Sequence, residues 1–174
     1  EEKTFIEFGV ENGLENNSYK LLLEGWKGLW IEGSSGHCKS IRLKFSHLIQ
    51  SGNLKIVNAF INKDNINSLI AENALSKHLD LLVVDIDGND FHVLKNIDCI
   101  QPRVIVCEYN AKFVPPMDWV MTYNPQHTWP GTDYYGASLK AYENLMRQKN
   151  YSLVGCTLTG VNSFFVRNDL LGEH

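Results

Sequence analysis

The apolar segment at residues 79–86 (LDLLVVDI) most constrains what this chain can fold into. A strand so rich in branched apolar residues is typical of the centre of a parallel sheet, where both faces are buried under helices. Similar runs at residues 4–9, 28–32, 54–60 and 103–109 predict four more strands. Because amphipathic stretches separate these runs, the sequence predicts an α/β domain around a mostly parallel sheet.

The stretches between the strands have helical periodicity. Helices are predicted at residues 17–25, 38–51, 65–75, 90–97 and 137–149. The last part of the chain differs, because residues 151–157 and 163–167 are two strand-like runs separated by a turn containing Gly160 and Asn162. These runs predict a closing antiparallel pair. With 174 residues, the chain is long enough for one domain.

Composition excludes several classes of function. The net charge is −4 and no basic run is present, which argues against nucleic acid or an anionic membrane as the main partner. The four cysteines are scattered without a CxxC pair, which predicts reduced thiols and neither a zinc site nor a disulfide. No signal peptide and no apolar stretch long enough to cross a bilayer are present, so we expect a cytoplasmic location.

The first candidate binding motif is FIEFGVENG, residues 5–13. Glu7 closes a strand, and Gly9 and Gly13 bracket the turn that follows, where glycine lets a ligand approach the backbone. The spacing differs from the GxGxxG motif that binds a dinucleotide pyrophosphate. A carboxylate here suits a cation, such as the amino acid and sulfonium part of S-adenosylmethionine. A plain glycine turn explains the motif equally well.

Glu32 ends the second predicted strand, about twenty residues beyond the glycine turn, which is the length of one βαβ unit. A carboxylate in this position can accept hydrogen bonds from both hydroxyls of a ribose. A solvated acid at a strand end is the common alternative. The two motifs together favour a nucleoside site more than either does alone.

Acidic and amide side chains follow the next two strands. In VVDIDGND, Asp85 and Asp87 would share one face of an extended strand, while Asn89 or Asp90 is explained as the cap of the following helix. In VCEYN, Glu108 and Asn110 share a face of the neighbouring strand. We therefore expect a polar cluster that orients a substrate, acts as a general base, or binds Mg²⁺ through Asp85, Glu108 and Asn110.

Residues 111–136 form a long segment rich in Pro, Trp and Tyr, a composition that argues against disorder. We expect a lid or insertion on the acceptor side of the site. Its aromatic side chains suit a sugar ring or a flat apolar acceptor, although they could equally pack the lid itself. The candidate substrate-binding residues, with Asn110, are Trp119, Tyr123, Trp129 and Tyr135.

The chain resembles the FkbM-like class I methyltransferases in EFGVENG, NNSYKLLLEGWKGLWIEG, LLVVDIDGNDFHVLKNI, VIVCEYN and GVNSFFVR, which occur in this order. The resemblance implies a single domain over residues 1–174, with a Rossmann-like, doubly wound, three-layer fold. Its seven-stranded sheet would have the order 3-2-1-4-5-7-6 with the seventh strand antiparallel. Such a protein would have a leading helix, so we expect residues to be missing before the first strand.

The resemblance also implies positions for the cofactor S-adenosylmethionine. Glu7, Gly9 and Gly13 would line its methionine part, Glu32 its ribose, and Asn62 would approach its adenine. The remaining predicted cofactor contacts are Asn17, Gly33 and Asp85. The sequence departs from the usual acid-Val/Ile-Glu-Gly form of the family by having Asp87.

The predicted function is S-adenosylmethionine-dependent methylation, most simply of an oxygen on a small-molecule or sugar-containing acceptor. Asp85, Glu108 and His92 are the candidate general bases. A haloacid dehalogenase-like phosphatase is the first alternative, because DIDGN is similar to DxDGT. Its motif would lie on the first strand, however, and Asn89 replaces the threonine. A non-catalytic, cofactor-binding module with the aromatic loop as a partner surface is the second alternative.

Overall fold

A computed structural model describes residues 3–172, which form one seven-stranded sheet with the order β3-β2-β1-β4-β5-β7-β6. The first five strands pair in parallel, and the seventh runs antiparallel to both of its neighbours, the fifth and the sixth. The predicted strand order and the antiparallel seventh strand are therefore confirmed. The strands are β1 (Thr4–Phe8), β2 (Lys27–Glu32), β3 (Leu54–Asn58), β4 (Leu81–Val84), β5 (Val104–Glu108), β6 (Tyr151–Cys156) and β7 (Asn162–Arg167).

Helices cover both faces of the sheet, as the three-layer prediction requires. They are α1 (Tyr19–Leu23), α2 (Ser35–Lys44), α3 (Ser46–Gln50), α4 (Ile66–Asn73), α5 (Asp90–Asn96) and α6 (Leu139–Gln148). Successive side chains of β1 point to opposite faces. Phe5 packs in a core with α1 and α2, whereas Ile6 and Phe8 pack in a larger core with α4, α5 and α6.

Two predicted elements differ from the structure. The helix expected at residues 38–51 begins earlier, at Ser35, where the Ser34 hydroxyl accepts a hydrogen bond from the His37 amide. It is also broken at Phe45, whose ring packs edge-on against Tyr19 and Trp30, so that α2 and α3 are separate helices.

The strand expected at residues 79–86 pairs only from Leu81 to Val84. The chain then turns, and Asp87 has a φ of 54°, in the left-handed region. The prediction that Asp85 and Asp87 share one face of an extended strand was therefore wrong, because the strand has already ended before either residue.

Residues 111–136 contain no helix and only the single bridge between Val120 and Ala137. This aromatic loop (residues 111–136) lies between β5 and α6. Among the helices of residues 3–172, none has the length and apolar character that a membrane span requires.

Candidate functional site

The carboxyl ends of the parallel strands border two adjoining clefts. The first, here called the mixed cleft, has a volume of about 280 Å³ and extends from the residues after β3, across the tips of β2, β1 and β4, to the aromatic loop. The second, the acidic cleft, has a volume of about 240 Å³ and lies between the tips of β1, β4 and β5. Gly9, Glu11 and Asp87 line both clefts, so the two form a continuous site.

Gly9 allows the tips of β1 and β4 to lie close together, because it has no side chain. Its φ is +72°, and a Cβ atom placed on it would lie 1.7 Å from the carbonyl oxygen of Asp85. Its amide donates a hydrogen bond of 3.1 Å to the carbonyl oxygen of Ile31 at the tip of β2. The position thus requires glycine both for its backbone angle and for its close contact with β4.

Glu7 is buried directly behind this turn and fixes the path of the chain after it. Its carboxylate accepts hydrogen bonds from the amides of Asn17 and Ser18, at 2.8 and 3.0 Å, and from the Asn16 side chain at 2.8 Å. The Ser18 hydroxyl also donates to it. Burial raises the pKa of Glu7, and these hydrogen bonds partly oppose that effect. Glu7 therefore shapes the wall of the acidic cleft and anchors the loop before α1.

Glu32 lies at the tip of β2 in the wall of the mixed cleft, next to Gly33. Its two carboxylate oxygens accept hydrogen bonds from the amides of Ser34 and Glu11, at 2.7 and 2.9 Å. Each oxygen can accept more than one hydrogen bond, so capacity for two ribose hydroxyls remains. Glu11 has a φ of 48°, a costly conformation for a side chain of this kind, and such strain is concentrated at functional sites.

Three carboxylates meet in the acidic cleft. Oxygen atoms of Asp85, Asp87 and Glu108 all lie within 4.8 Å of one another. Burial, together with the charges of Asp90, Asp87 and Glu7, raises the pKa of Asp85 to about 7. Burial and the neighbouring aspartates raise the pKa of Glu108 to about 9. At neutral pH, Glu108 is therefore mostly protonated, while Asp85 titrates.

Asn17 interacts with both Glu7 and Asp85. Besides its amide contact with Glu7, its side chain partly offsets the rise in the pKa of Asp85. Its Oδ1 atom accepts a hydrogen bond of 3.0 Å from Asn162 of β7.

Asp90 does not act as a simple helix cap. Its carboxylate, completely buried, accepts hydrogen bonds from the amides of Ile86 and Gly88 at 2.7 and 2.8 Å. It thereby fixes the turn that carries Asp85 and Asp87. Asn89 occupies the position before α5.

Several predicted site residues lie outside the walls of both clefts. Gly13 faces the rings of Trp30 and Phe45. The Asn62 Oδ1 atom accepts hydrogen bonds from the amides of residues 64 and 65, at 2.9 and 3.0 Å, and so shapes the turn before α4. The His92 Nε2 atom is 2.8 Å from the carbonyl oxygen of Met121 in the aromatic loop.

Asn110 is fully buried beneath the aromatic loop. Its side-chain nitrogen donates to the carbonyl oxygens of Asp133 and Tyr135, at 2.8 and 3.1 Å, and its Oδ1 atom accepts from the amide of Lys112. The amide group of Asn110 thus holds the loop, whereas Asp87 occupies the third corner of the carboxylate cluster where the sequence suggested Asn110.

The four predicted aromatic contacts separate into two groups. Trp119 stacks on Phe113 with a centroid distance of 4.1 Å, and Tyr123 packs edge-on against His92 at 5.4 Å, so both stabilise the loop. Trp129 lines the mixed cleft. Tyr135 packs edge-on against Trp129 at a centroid distance of 6.4 Å, and burial and the charge of Glu108 raise its pKa.

Phe60 and Ile61 line the mixed cleft and were missed by the sequence analysis. These residues come just after β3, much as Glu32 lies at the end of β2. Their position at the end of a predicted strand could therefore have indicated them. His127 also lines this cleft, but no periodicity or spacing in the sequence marks it. Its position depends on how the aromatic loop folds.

Comparisons with known proteins agree with this architecture. No described protein family matches the sequence, and no curated protein is significantly similar to it. Among solved structures, a candidate caffeoyl-CoA O-methyltransferase from Staphylococcus aureus aligns over 95% of this chain with 10% identity and a TM-score of 0.63. The Methanococcus jannaschii fibrillarin, a pre-rRNA processing protein, aligns over 96% with 10% identity and a TM-score of 0.61.

A third structure is an O-methyltransferase from neocarzinostatin biosynthesis, in complex with S-adenosylhomocysteine and a dihydroxynaphthoic acid. It aligns over 94% of this chain with 13% identity and a TM-score of 0.55. The chain spans 76%, 67% and 49% of the lengths of these three proteins. At such low identity the similarity shows the fold, which is the Rossmann-like fold of the S-adenosylmethionine-dependent methyltransferases.

Proposed function

We propose that this chain is an S-adenosylmethionine-dependent methyltransferase of the FkbM-like type that methylates an oxygen of a small-molecule or sugar-containing acceptor. The observation that carries the proposal is the pair of adjoining clefts at the tips of β1, β2 and β4. One contains Glu32 and apolar side chains, which suit a nucleoside. The other is bordered by carboxylates, which suit the adjoining sulfonium and ammonium groups.

The side chains fit this cofactor in two further respects. The Glu108 Oε2 atom is buried and has no hydrogen-bond partner within residues 3–172, so the acidic cleft contains an uncompensated polar group. No Lys or Arg side chain lines this cleft in the part of the chain that the structure describes. A cation placed there would relieve the repulsion that raises the pKa values of Asp85 and Glu108.

When bound, S-adenosylmethionine supplies a methyl group that is already activated by the positive sulfur. The chain itself would align the acceptor, exclude water and remove the hydroxyl proton. Asp85 is the proposed base, because its pKa of about 7 leaves a large unprotonated fraction at neutral pH. Glu108 would lie beside it, and Tyr135 would border the acceptor.

Binding of S-adenosylhomocysteine in the micromolar range is the first expected result. The product lacks the sulfonium charge but keeps the nucleoside, so it tests the mixed cleft and the β1 turn directly. Isothermal titration calorimetry on the folded chain measures this binding. If neither S-adenosylhomocysteine nor S-adenosylmethionine binds, the proposal is wrong.

Activity distinguishes the proposal from its alternatives. A binding module would bind the cofactor without transferring tritium-labelled methyl groups to a library of hydroxylated and glycosylated compounds.

The phosphatase alternative is not favoured, because the strand order and the antiparallel β7 are those of methyltransferases. Magnesium-dependent hydrolysis of p-nitrophenyl phosphate, lost in Asp85→Asn, would reverse this preference.

Removing divalent cations separates two roles of Asp85, Asp87 and Glu108. Their oxygen atoms are close enough to bind a hard cation such as Mg²⁺. If Asp85 serves as a base, we expect methyl transfer to be unchanged by a chelator. A loss of activity that Mg²⁺ restores would instead assign the three carboxylates to a metal.

A further inference from the structure

The aromatic loop is tied at two points to the turn that follows β4. The Asn89 side chain forms two hydrogen bonds with the backbone of Asn124, of 2.7 Å to its carbonyl oxygen and 3.3 Å from its amide. At the other end of the segment, the Gly136 amide donates to the Gly88 carbonyl oxygen at 3.0 Å. Residues 124–136 are thus fixed over the β4 turn and form a preformed wall of the mixed cleft.

His127 lies directly against this turn. A Cβ atom placed on Gly88 would lie 2.2 Å from the His127 Cδ2 atom, so the imidazole occupies the space that a side chain at residue 88 would fill. The His127 Nε2 atom is buried and has no hydrogen-bond partner among residues 3–172. His127 lines the mixed cleft beside Asp87. The Nε2 atom would lie 2.7 Å from the Cβ position at residue 88, so it packs against the turn, while other atoms of the ring border the cleft.

Trp129 continues the same wall. Its Nε1 atom donates a hydrogen bond of 2.8 Å to the carbonyl oxygen of Thr132, and its ring lies edge-on to Tyr135, so its orientation is set. The residue is nevertheless 53% exposed, and Phe60, which enters the cleft from the β3 side, is 51% exposed. Two aromatic side chains with uncovered surface therefore border one cleft, where they can cover a flat ring.

We propose that His127 and Trp129 bind the nucleoside of the cofactor: the Trp129 ring covers the purine base, and the His127 ring, packed against the β4 turn, contacts the nucleoside beside it. This inference rests on the proposed function. It assigns Trp129 and the second half of the aromatic loop to the cofactor, and leaves the acceptor to the acidic cleft. The loop therefore determines which nucleoside the protein accepts.

The test is calorimetric titration with S-adenosylhomocysteine and with 5′-methylthioadenosine, which keeps the nucleoside but lacks the amino acid part. His127→Ala and Trp129→Ala should each weaken binding of both compounds about tenfold, the effect of one lost aromatic contact. Gly88→Ala should resemble His127→Ala, because the added methyl displaces the ring. His47→Ala is the matched control, since His47 is exposed on α3.

Fluorescence provides a readout that does not depend on affinity. The chain has four tryptophans. Saturation with S-adenosylhomocysteine should change the emission of the unaltered protein and of Trp26→Phe, and the change should be largely lost in Trp129→Phe. The conservative replacement keeps an aromatic ring in the loop, and thermal melting confirms that each variant is folded.

The outcomes separate the two proposals. If the unaltered protein binds S-adenosylhomocysteine and both alanine variants bind it equally well, His127 and Trp129 do not contact the cofactor, while the methyltransferase proposal stands. Weaker binding of S-adenosylhomocysteine with unchanged binding of 5′-methylthioadenosine would also overturn the inference. If the unaltered protein binds neither compound, both proposals are wrong.

Discussion

Replacing Asp85 by Asn is expected to lower kcat for methyl transfer by about 10²- to 10³-fold, which is the contribution of a well-placed general base. Asparagine keeps the shape of the side chain and a polar oxygen but cannot accept a proton in the way a carboxylate does. S-adenosylhomocysteine should still bind to this variant, because the nucleoside lies in the mixed cleft, which Asp85 does not line. Asp98→Asn, at an exposed position after α5, is the matched control.

The pH profile gives a second measure of the same role. Because burial and neighbouring charges raise the pKa of Asp85 to about 7, its unprotonated fraction grows between about pH 6 and pH 8. We expect kcat/KM for S-adenosylmethionine, which reports the free enzyme, to rise over this interval for the unaltered protein and to be low and nearly flat for Asp85→Asn. A variant with the activity and pH profile of the unaltered enzyme would assign the base to another group.

Stability provides the control for this variant. The pKa of Asp85 is raised from an ordinary 3.8 to about 7 in the folded state, so folding favours its protonated form. Its contribution to the free energy of unfolding is complete below about pH 4 and is lost as the pH rises through 7. Asp85→Asn cannot ionise, so above pH 7 it should be at least as stable as the unaltered protein. Its expected inactivity would then reflect lost chemistry.

The strand tips were predictable because parallel strands of a doubly wound sheet end at one edge. The apolar run before Asp85 and the shorter run before Glu32 were both predicted as strands. Because these strands are parallel, their ends place both carboxylates at that edge. Glu108 was found near Asp85 for the same reason, since β4 and β5 are neighbours. This part of the site depends on periodicity and chain order, which the sequence contains.

The loop residues could not be predicted in this way. His127 belongs to a loop that Asn89 holds at the backbone of Asn124, a contact across 35 residues. The left-handed conformation of Asp87 is held by hydrogen bonds from the turn to Asp90. Likewise, the break between α2 and α3 comes from the packing of Phe45 and not from a glycine or proline. Such features arise from tertiary contacts that override local preference.

Gly9→Ala is expected to lower the free energy of unfolding by about 2–5 kcal/mol. A non-glycine residue at a φ of +72° costs about 1–2 kcal/mol. The added Cβ would also lie 1.7 Å from the Asp85 carbonyl oxygen and 2.8 Å from its carbonyl carbon. Because these are backbone atoms between two paired strands, relief requires β1 and β4 to separate, at an overpacking cost of about 1–3 kcal/mol. Urea denaturation measures the change.

Gly52→Ala separates the two contributions. Its φ of +76° is similar, but a Cβ atom there would have no neighbour within 4 Å. This control should therefore lose only the conformational part, about 1–2 kcal/mol. Equal losses for the two variants would show that β1 and β4 do not approach closely at Gly9. A larger loss for Gly9→Ala, with weaker binding of S-adenosylhomocysteine, would show that this contact places the Glu11 turn and Asp85 correctly. Since Gly9 borders both clefts, moving it would disturb the nucleoside site and the proposed base together.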